Sequence, residues 1–350
     1  MSTPAIVIGA GQAGICAASA LQDNGFRPVV LESGSDTAGS WPHYYESLRL
    51  FTPAWLNGLP GRPFPGDPHR YPGRDEVADY LRGCAAAIDG DVHTGQEVVS
   101  VVRDGARYYV RTAAGAEFSA PVVVSATGGF ANPYRPEITA LEGYSGQVLH
   151  AADYRAPEAF AGRRVVVVGS GNSAVQIAVE IASVGEVILA CRTPIRYATT
   201  EPIPPDSRFW RVVSAASRLP VGRFFHPGTI PVIDTGGYRR AIDSGMPEAR
   251  EMFCAADGSV LRWPDGREAD VNAVVLATGY RPALRHLRDL VEFDDAGLPA
   301  HRNGLSRAHP GLAFLGLEYQ RNILSGTLHG VGPDSRYLAR RLARLGSSVL

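Results

Sequence analysis

The chain has 350 residues, a net charge of −1, 45% hydrophobic and 20% charged residues, the balance of a folded globular protein. Its 34 basic residues are all arginine, which excludes lysine Schiff-base chemistry, a pyridoxal-phosphate enzyme and a Walker-type phosphate loop. Near-neutrality offers no basic surplus for nucleic acid or an anionic membrane, and neither is an expected partner.

The chain enters directly on the apolar run Ala5-Ile-Val-Ile8. A cytoplasmic protein without a signal peptide is therefore expected. The first informative segment runs from Ile6 through Gly9-Ala-Gly11-Gln-Ala-Gly14 to Leu21. It reads as a buried strand, a glycine turn and a helix. A second strand, Val29-Val-Leu-Glu32, ends in an acid. The same grammar returns at Arg164-Val-Val-Val-Val-Gly169-Ser-Gly171-Asn-Ser-Ala174, followed by a strand ending at Arg192. In both copies the charged strand end lies 23 positions after the first glycine. Each copy also closes on Ala-Thr-Gly, at Ala126-Thr127-Gly128 and Ala277-Thr278-Gly279. Charges such as Glu180 and Glu186 interrupt the apolar stretches, so no membrane span is expected.

A strand, a glycine turn, a helix and a charged residue at this spacing form the dinucleotide-binding fingerprint. The predicted fold class is α/β, with two nested Rossmann-like domains of the glutathione-reductase-like kind. The expected division is a first domain over 1–160, a second inserted over 161–282, and a return segment over 283–350. Glu32 can accept hydrogen bonds from a ribose diol but repels a 2′-phosphate, which suits FAD or NAD. Arg192 offers a paired, charge-assisted contact to phosphate, which suits NADP, with Thr193 and Arg196 as further donors. One dinucleotide per copy implies two cofactors, and FAD with NADPH is the economical pair.

Four cysteines, Cys16, Cys84, Cys191 and Cys254, form no C-x-x-C pair. Each is expected to be a buried small hydrophobe, and no metal site is expected.

The segment Tyr144-Ser-Gly146-Gln-Val-Leu-His150-Ala-Ala-Asp-Tyr154 resembles the F-x-G-x-x-x-H-x-x-x-[FY] signature of flavin-containing monooxygenases, with Tyr144 in place of the usual Phe. Gly39-Ser40-Trp41, Ala277-Thr-Gly-Tyr280-Arg-Pro and Gly330-Val-Gly332-Pro-Asp334 fit the same family along nearly the whole chain. Tyr154 resembles members that oxidise soft heteroatoms and the plant YUCCA enzymes, whereas Baeyer–Villiger enzymes are expected to carry Trp there. The likeness is nearest to short bacterial members, some associated with arsenic resistance.

The resemblance implies an NADPH- and oxygen-dependent monooxygenase that uses a flavin C4a-(hydro)peroxide to oxygenate a small nucleophile at N, S or a metalloid. Other readings are an NADPH:acceptor reductase without oxygen transfer, Baeyer–Villiger oxygenation, and a silent flavin redox sensor. Partners would be molecular oxygen and a small-molecule substrate. The expected FAD contacts are Gly9, Gly11, Gln12, Ala13, Gly14, Glu32, Ser33, Ser40, Trp41, Thr52, Val98, Ala126, Thr127, Gly128, Gly332 and Asp334. The expected NADP contacts are Gly169, Ser170, Gly171, Asn172, Ser173, Ala174, Arg192, Thr193, Thr278 and Gly279.

No side chain is assigned a certain catalytic role; Thr52, Gln320 and Asn322 are candidates. Many family members place an Asn near the position of Thr52, and no Asn match is evident. His150 reads as a satisfied structural residue or as a linker setting the NADP side. Gly332-Pro333-Asp334 reads as a helix start whose positive end faces reduced flavin. The aromatic, proline-rich stretch 201–240 reads as a lid or substrate wall, or as a packing or homodimer surface.

Overall fold

A computed structural model describes residues 2–88, 90–226, 228 and 230–349, and the side chains up to 345. Its first half opens with β1 (Thr3–Ile8), α1 (Gln12–Gln22) and β2 (Phe26–Leu31), followed by α2 (Arg74–Ala85) and β3 (Asp91–His93). A three-stranded antiparallel meander comes next: β4 (Val98–Asp104), β5 (Arg107–Thr112) and β6 (Glu117–Ala120). β7 (Val122–Ser125) then returns to β1 in parallel.

The second half begins with β8 (Gln147–His150), β9 (Arg164–Val168), α3 (Asn172–Ile181) and β10 (Glu186–Cys191). α4 (Arg208–Ala216), α5 (Tyr238–Asp243) and β11 (Glu248–Glu251) follow. A second meander, β12 (Ala255–Asp257), β13 (Val260–Arg262) and β14 (Glu268–Asp270), precedes β15 (Ala273–Leu276). β16 (His301–Arg302), β17 (Leu305–Ser306), β18 (Leu312–Phe314) and α6 (Leu328–Val349) complete the order.

Among the described residues the first sheet runs β16-β17-β18-β7-β1-β2-β3. The return segment thus supplies three strands to the sheet that the N-terminus began, and β18 lies parallel to β7. The second sheet runs β11-β10-β9-β15-β8 and is parallel throughout.

Both sheets are covered on both faces, which is why their central strands read as unbroken runs of Val and Ile. In β1, Ala5 and Val7 face a core containing α1 and the Leu338, Ala339 and Leu342 positions of α6. Ile6 and Ile8 face the first meander through Val101, Tyr108 and Val110. The second sheet repeats this plan. Val165 and Val167 of β9 pack on α3, while Val166 and Val168 pack on Leu261 and on Phe253 and Trp263 beside the second meander. The duplication therefore extends beyond the glycine turns to a helix on one face and a meander on the other.

One boundary differs from expectation. β8 precedes residue 161, yet it pairs with β15 from Gln147↔Ala273 to His150↔Leu276. The chain thus joins the second sheet at Gln147; β8, exposed along its first half, is an edge strand and lacks the Val-rich signature of a central one.

The two crossovers between the halves run side by side. Tyr134 N–H donates to the Gly279 carbonyl at 2.9 Å, Arg281 N–H to Asn132 at 3.0 Å and Ala283 N–H to Gly128 at 2.8 Å.

Candidate functional site

The turn from β1 to α1 is shaped by sterics. Gly9 has φ +99°, a left-handed region that side chains avoid. A Cβ on Gly14 would lie 1.8 Å from the Gly9 carbonyl oxygen, so helix and strand meet backbone to backbone. Gly11 caps α1 with no side-chain hydrogen bond. The first-turn N–H groups and the positive helix end, which Gln12 and Ala13 occupy, remain available to an anion.

Glu32 stands at the end of β2, buried beside this turn. Its Oε2 accepts from Ala10 N–H at 2.6 Å and its Oε1 from Gly34 N–H at 2.8 Å and Ser33 Oγ at 3.2 Å. The carboxylate is thus held against the turn by these donors, with lone pairs left over. Val98 begins β4 nearby, and the backbone N–H of Gln96 donates to the Glu32 carbonyl at 2.7 Å.

Ser40 and Trp41 follow the turn after Glu32. Trp41 Nε1 donates to Gln12 Oε1 at 2.8 Å, and Gln12 Nε2 donates to the Gly326 carbonyl at 2.7 Å. Trp41 also packs on the first core. These bonds stitch the helix start to the loop entering α6.

Thr52 is buried and donates to Asn57 Oδ1 at 2.7 Å. Asn57 Nδ2 donates to the Thr52 and Pro53 carbonyls, each at 2.9 Å. The expectation of no asparagine beside Thr52 is therefore corrected. Five positions on, Asn57 folds back because a 3₁₀ turn at Ala54–Leu56 reverses the chain. The Pro53 that precedes this turn was the available sequence signal.

The second turn has the same construction. Gly169 has φ +146°, Gly171 caps α3 without a side-chain bond, and Ala174 is fully buried against the strand. Asn172 is engaged internally: its Oδ1 accepts from Ile233 N–H at 2.9 Å and its Nδ2 donates to the Pro231 carbonyl at 3.3 Å. Ser170 and Ser173 flank this start, and Arg192 and Thr193 follow β10 as exposed residues. Among the described residues no carboxylate forms an ion pair with Arg192.

Two predicted contacts have structural duties. Thr127 Oγ1 donates to the Ala283 carbonyl at 2.8 Å and Thr278 Oγ1 to the Tyr134 carbonyl at 2.5 Å. Their hydroxyl donors hold the paired crossovers, leaving the backbones of Ala126-Thr127-Gly128 and Thr278-Gly279 at the ends of β7 and β15.

The fingerprint segment is explained by packing. Tyr144 OH donates to the Val271 carbonyl at 2.9 Å, and a Cβ on Gly146 would lie 2.3 Å from that hydroxyl. His150 is fully buried. Its Nδ1 accepts from Ala152 N–H at 3.0 Å, so Nε2 carries the proton donated to the Gly279 carbonyl at 3.1 Å. Burial holds its pKa below the usual histidine value. His150 is a satisfied neutral histidine that joins β8 to the second Ala-Thr-Gly turn. Tyr154 OH donates to Glu180 Oε2 of α3 at 2.7 Å.

The return segment departs from expectation at its helix. α6 starts at Leu328 and carries Pro333 inside it, so Gly332-Pro333-Asp334 does not open the helix. Leu328 and Val331 are buried in the first core, and their packing keeps the preceding turn helical despite the proline.

Asp334 is buried and turned toward its own loop. Its Oδ2 accepts from Ser325 Oγ at 2.5 Å and its Oδ1 from Asn322 Nδ2 at 2.9 Å and Arg321 Nη1 at 3.4 Å. Burial raises its pKa against these partners. Asn322 Oδ1 also accepts from Leu324 N–H at 2.7 Å. Asn322 and Asp334 are therefore committed to fastening the loop onto α6. Gln320 differs: it is buried and its Nε2 has no partner. Gln320 is among the residues lining a cavity of about 580 Å³ between residues 220–226, 298–307 and 318–320.

The 201–240 stretch, whose positions 227 and 229 lie outside the described residues, packs as a wall. Trp210 is buried with Leu56, Ile203 and Ile233, and its Nε1 donates to Tyr71 OH at 3.1 Å. Gly222 N–H donates to the Arg321 carbonyl at 2.9 Å, which docks the stretch on the Gln320 loop. It exposes Val212, Leu219, Phe224 and Phe225.

Three cysteines are buried as expected, while Cys254 is exposed, a correction that follows from its place just before the edge strand β12. All four are free thiols. Burial pushes Cys16 up to about 12 and Cys191 up to about 11, so neither is a thiolate near neutrality. Among the described residues no helix is long and apolar enough to cross a membrane.

The pyridine nucleotide-disulphide oxidoreductase family model matches residues 6–203, more than half of the chain. An uncharacterized CzcO-like oxidoreductase of Geobacillus kaustophilus is 32% identical, over 95% of this chain and 96% of that one. Indole-3-pyruvate monooxygenase YUCCA1 of Oryza sativa subsp. japonica is 28% identical over 87% of this chain and 82% of its own. A flavin-containing monooxygenase from Stenotrophomonas maltophilia, solved also as a double mutant, superposes with a TM-score of 0.85 at 30% identity, covering 98% of both chains. With two glycine turns set at the ends of parallel strands and this full-length likeness, the chain belongs to the flavin monooxygenase family of oxidoreductases.

Proposed function

We propose that the protein binds FAD at the β1–α1 turn and NADPH at the β9–α3 turn, and oxygenates a small soft nucleophile at nitrogen, sulfur or a metalloid. The observation that carries this reading is the pair Glu32 and Arg192. They occupy the same place in two copies of one architecture and carry opposite charge. Glu32 suits a ribose diol and Arg192 a 2′-phosphate. The Stenotrophomonas double mutant carries Arg-Thr in place of a neighbouring Gln-His pair, and Arg192-Thr193 is the same dipeptide.

The residues present fit both groups. The backbone cradle at Gly9, Gly11 and Gly14 leaves no side chain where a pyrophosphate would lie, and α1 and α3 both start uncapped. Bound flavin would supply hydride acceptance and oxygen activation. This chain's residues bind, orient and shelter. Trp41 and Gln12 hold the helix start against the loop leading into α6. The 201–240 wall, docked through Gly222, restricts water on the Gln320 side. Gln320, a cavity-lining residue whose buried Nε2 has no partner, is the proposed donor to a ligand. The proposed domains follow the sheets: FAD with the first, NADPH with the second.

The test is a substrate panel of arsenite, sulfides, amines, ketones and indole-3-pyruvate. Oxygenated product is scored beside NADPH and oxygen consumption. NADPH oxidation with electron delivery to an acceptor, and no oxygen in any product, would favour the reductase reading instead.

A further inference from the structure

A second cavity of about 580 Å³ lies between α6 and the residues that end α4. Arg218, Arg321, Arg336, Arg340, Arg341 and Arg344 line it, and among the described residues no acidic one does. None of the glycine-turn residues borders it. Among the described residues, no carboxylate lies within 4.0 Å of Arg218, Arg336, Arg340 or Arg341. Arg321 is the anchored member. Its Nη1 lies 3.4 Å from Asp334 Oδ1, its guanidinium sits 5.1 Å over the Tyr337 ring, and its buried Nε has no partner.

This arrangement is costly in isolation. Arg336, Arg340 and Arg344 are spaced i, i+4 on one helix, where like charges repel. The helix dipole does not account for them, because the last turn of α6 holds no basic residue. In a chain of net charge −1, six guanidinium groups around one concavity focus a positive field there. Guanidinium forks match the paired oxygens of phosphate and carboxylate groups. The volume suits a small molecule.

We propose that this cavity binds a phosphate-type oxyanion, its oxygens held by guanidinium forks, at a site separate from both nucleotide turns. The phosphate can come from a free anion or from a phospholipid headgroup. Leu219, directly after Arg218, and Val212 and Phe224 on the same stretch are exposed at 56%, 68% and 67%, so both sources are tested.

The experiment is calorimetric titration of the purified full-length protein with inorganic pyrophosphate and tripolyphosphate. Co-sedimentation with phosphatidylglycerol or phosphatidylcholine vesicles runs in parallel. The variants are the triple substitution Arg336→Ala/Arg340→Ala/Arg341→Ala, Arg192→Ala and, as a control, the exposed Arg288→Ala. The triple variant removes only exposed side chains, and its fold is checked by its unfolding temperature. The expected result is polyphosphate binding that weakens with salt, falls at least tenfold in the triple variant and persists in Arg192→Ala and Arg288→Ala. Binding only to phosphatidylglycerol vesicles, lost in the triple variant, also supports the site and assigns the phosphate to a headgroup. Failure of the wild type to bind either polyphosphate or the anionic vesicles overturns the proposal. So does binding that survives the triple substitution, or binding lost equally in Arg192→Ala or Arg288→Ala.

Discussion

Glu32 Oε2 accepts a hydrogen bond from Ala10 N–H at 2.6 Å, so the acid at the end of β2 and the first glycine turn form one unit. Removing the carboxylate orphans two backbone donors and takes away the proposed partner of the ribose diol. Glu32→Ala is expected to cost about 1.5–3 kcal/mol of stability and to lower the flavin retained through purification. Chemical unfolding together with the absorbance ratio at flavin and protein wavelengths checks both. Unchanged flavin retention would count against the diol assignment.

Arg192 is the proposed carrier of the cofactor preference. Arg192→Ala is expected to raise the Kd for NADP roughly tenfold or more, the loss of one charge-assisted phosphate contact, and to leave that for NAD nearly unchanged. Titration of each nucleotide against the variant decides it. Equal losses for both would remove the 2′-phosphate from this position.

His150 ties β8 to the second Ala-Thr-Gly turn through Gly279. His150→Leu leaves the Ala152 N–H unpaired and removes one of the two donors to the Gly279 carbonyl, Tyr134 N–H remaining, and should cost about 1–3 kcal/mol. Because the histidine is neutral and has no proton to exchange with a reactant, the pH dependence of turnover should keep its shape. A shifted profile would assign His150 to the chemistry.

His286 predicts an acid limb of stability. Burial pushes its pKa down to about 4, with Ser125 Oγ 3.1 Å from Nε2. The folded state keeps the ring neutral, whereas the unfolded chain takes up a proton near the usual 6.5. The contribution is therefore complete above about 6.5, falls as pH drops toward 4 and is flat below that. The span amounts to about 3 kcal/mol. Urea unfolding of the wild type and His286→Gln at pH 7 and pH 4.5 measures it. The variant should lose less stability on acidification.

The features legible in the sequence were those imposed by sterics. Gly9 and Gly14 are required because a Cβ would strike backbone, and the runs at β1 and β9 are required by burial on both faces. Other features depend on partners distant in the chain. The first meander exposes Val99, Val102 and Tyr109, so its apolar pattern does not announce a buried strand. β8 is an edge strand whose partner lies over 120 residues ahead. Pro333 stays inside α6 because Leu328 and Val331 are packed, which local propensity does not encode. Asn57 reaches Thr52 through a turn, and Asn322 and Asp334 meet across the loop into α6 for the same non-local reason. The Arg192 position was readable because strand length and turn length fix it together.

The most direct measurement is nucleotide-dependent oxygen consumption by the purified protein, with its bound cofactor identified after denaturation. The expected result is FAD in the released fraction, oxygen uptake driven by NADPH more efficiently than by NADH, and labelled oxygen appearing in an accepted substrate. A protein that binds no flavin, or that oxidises NADPH without consuming oxygen, would contradict it.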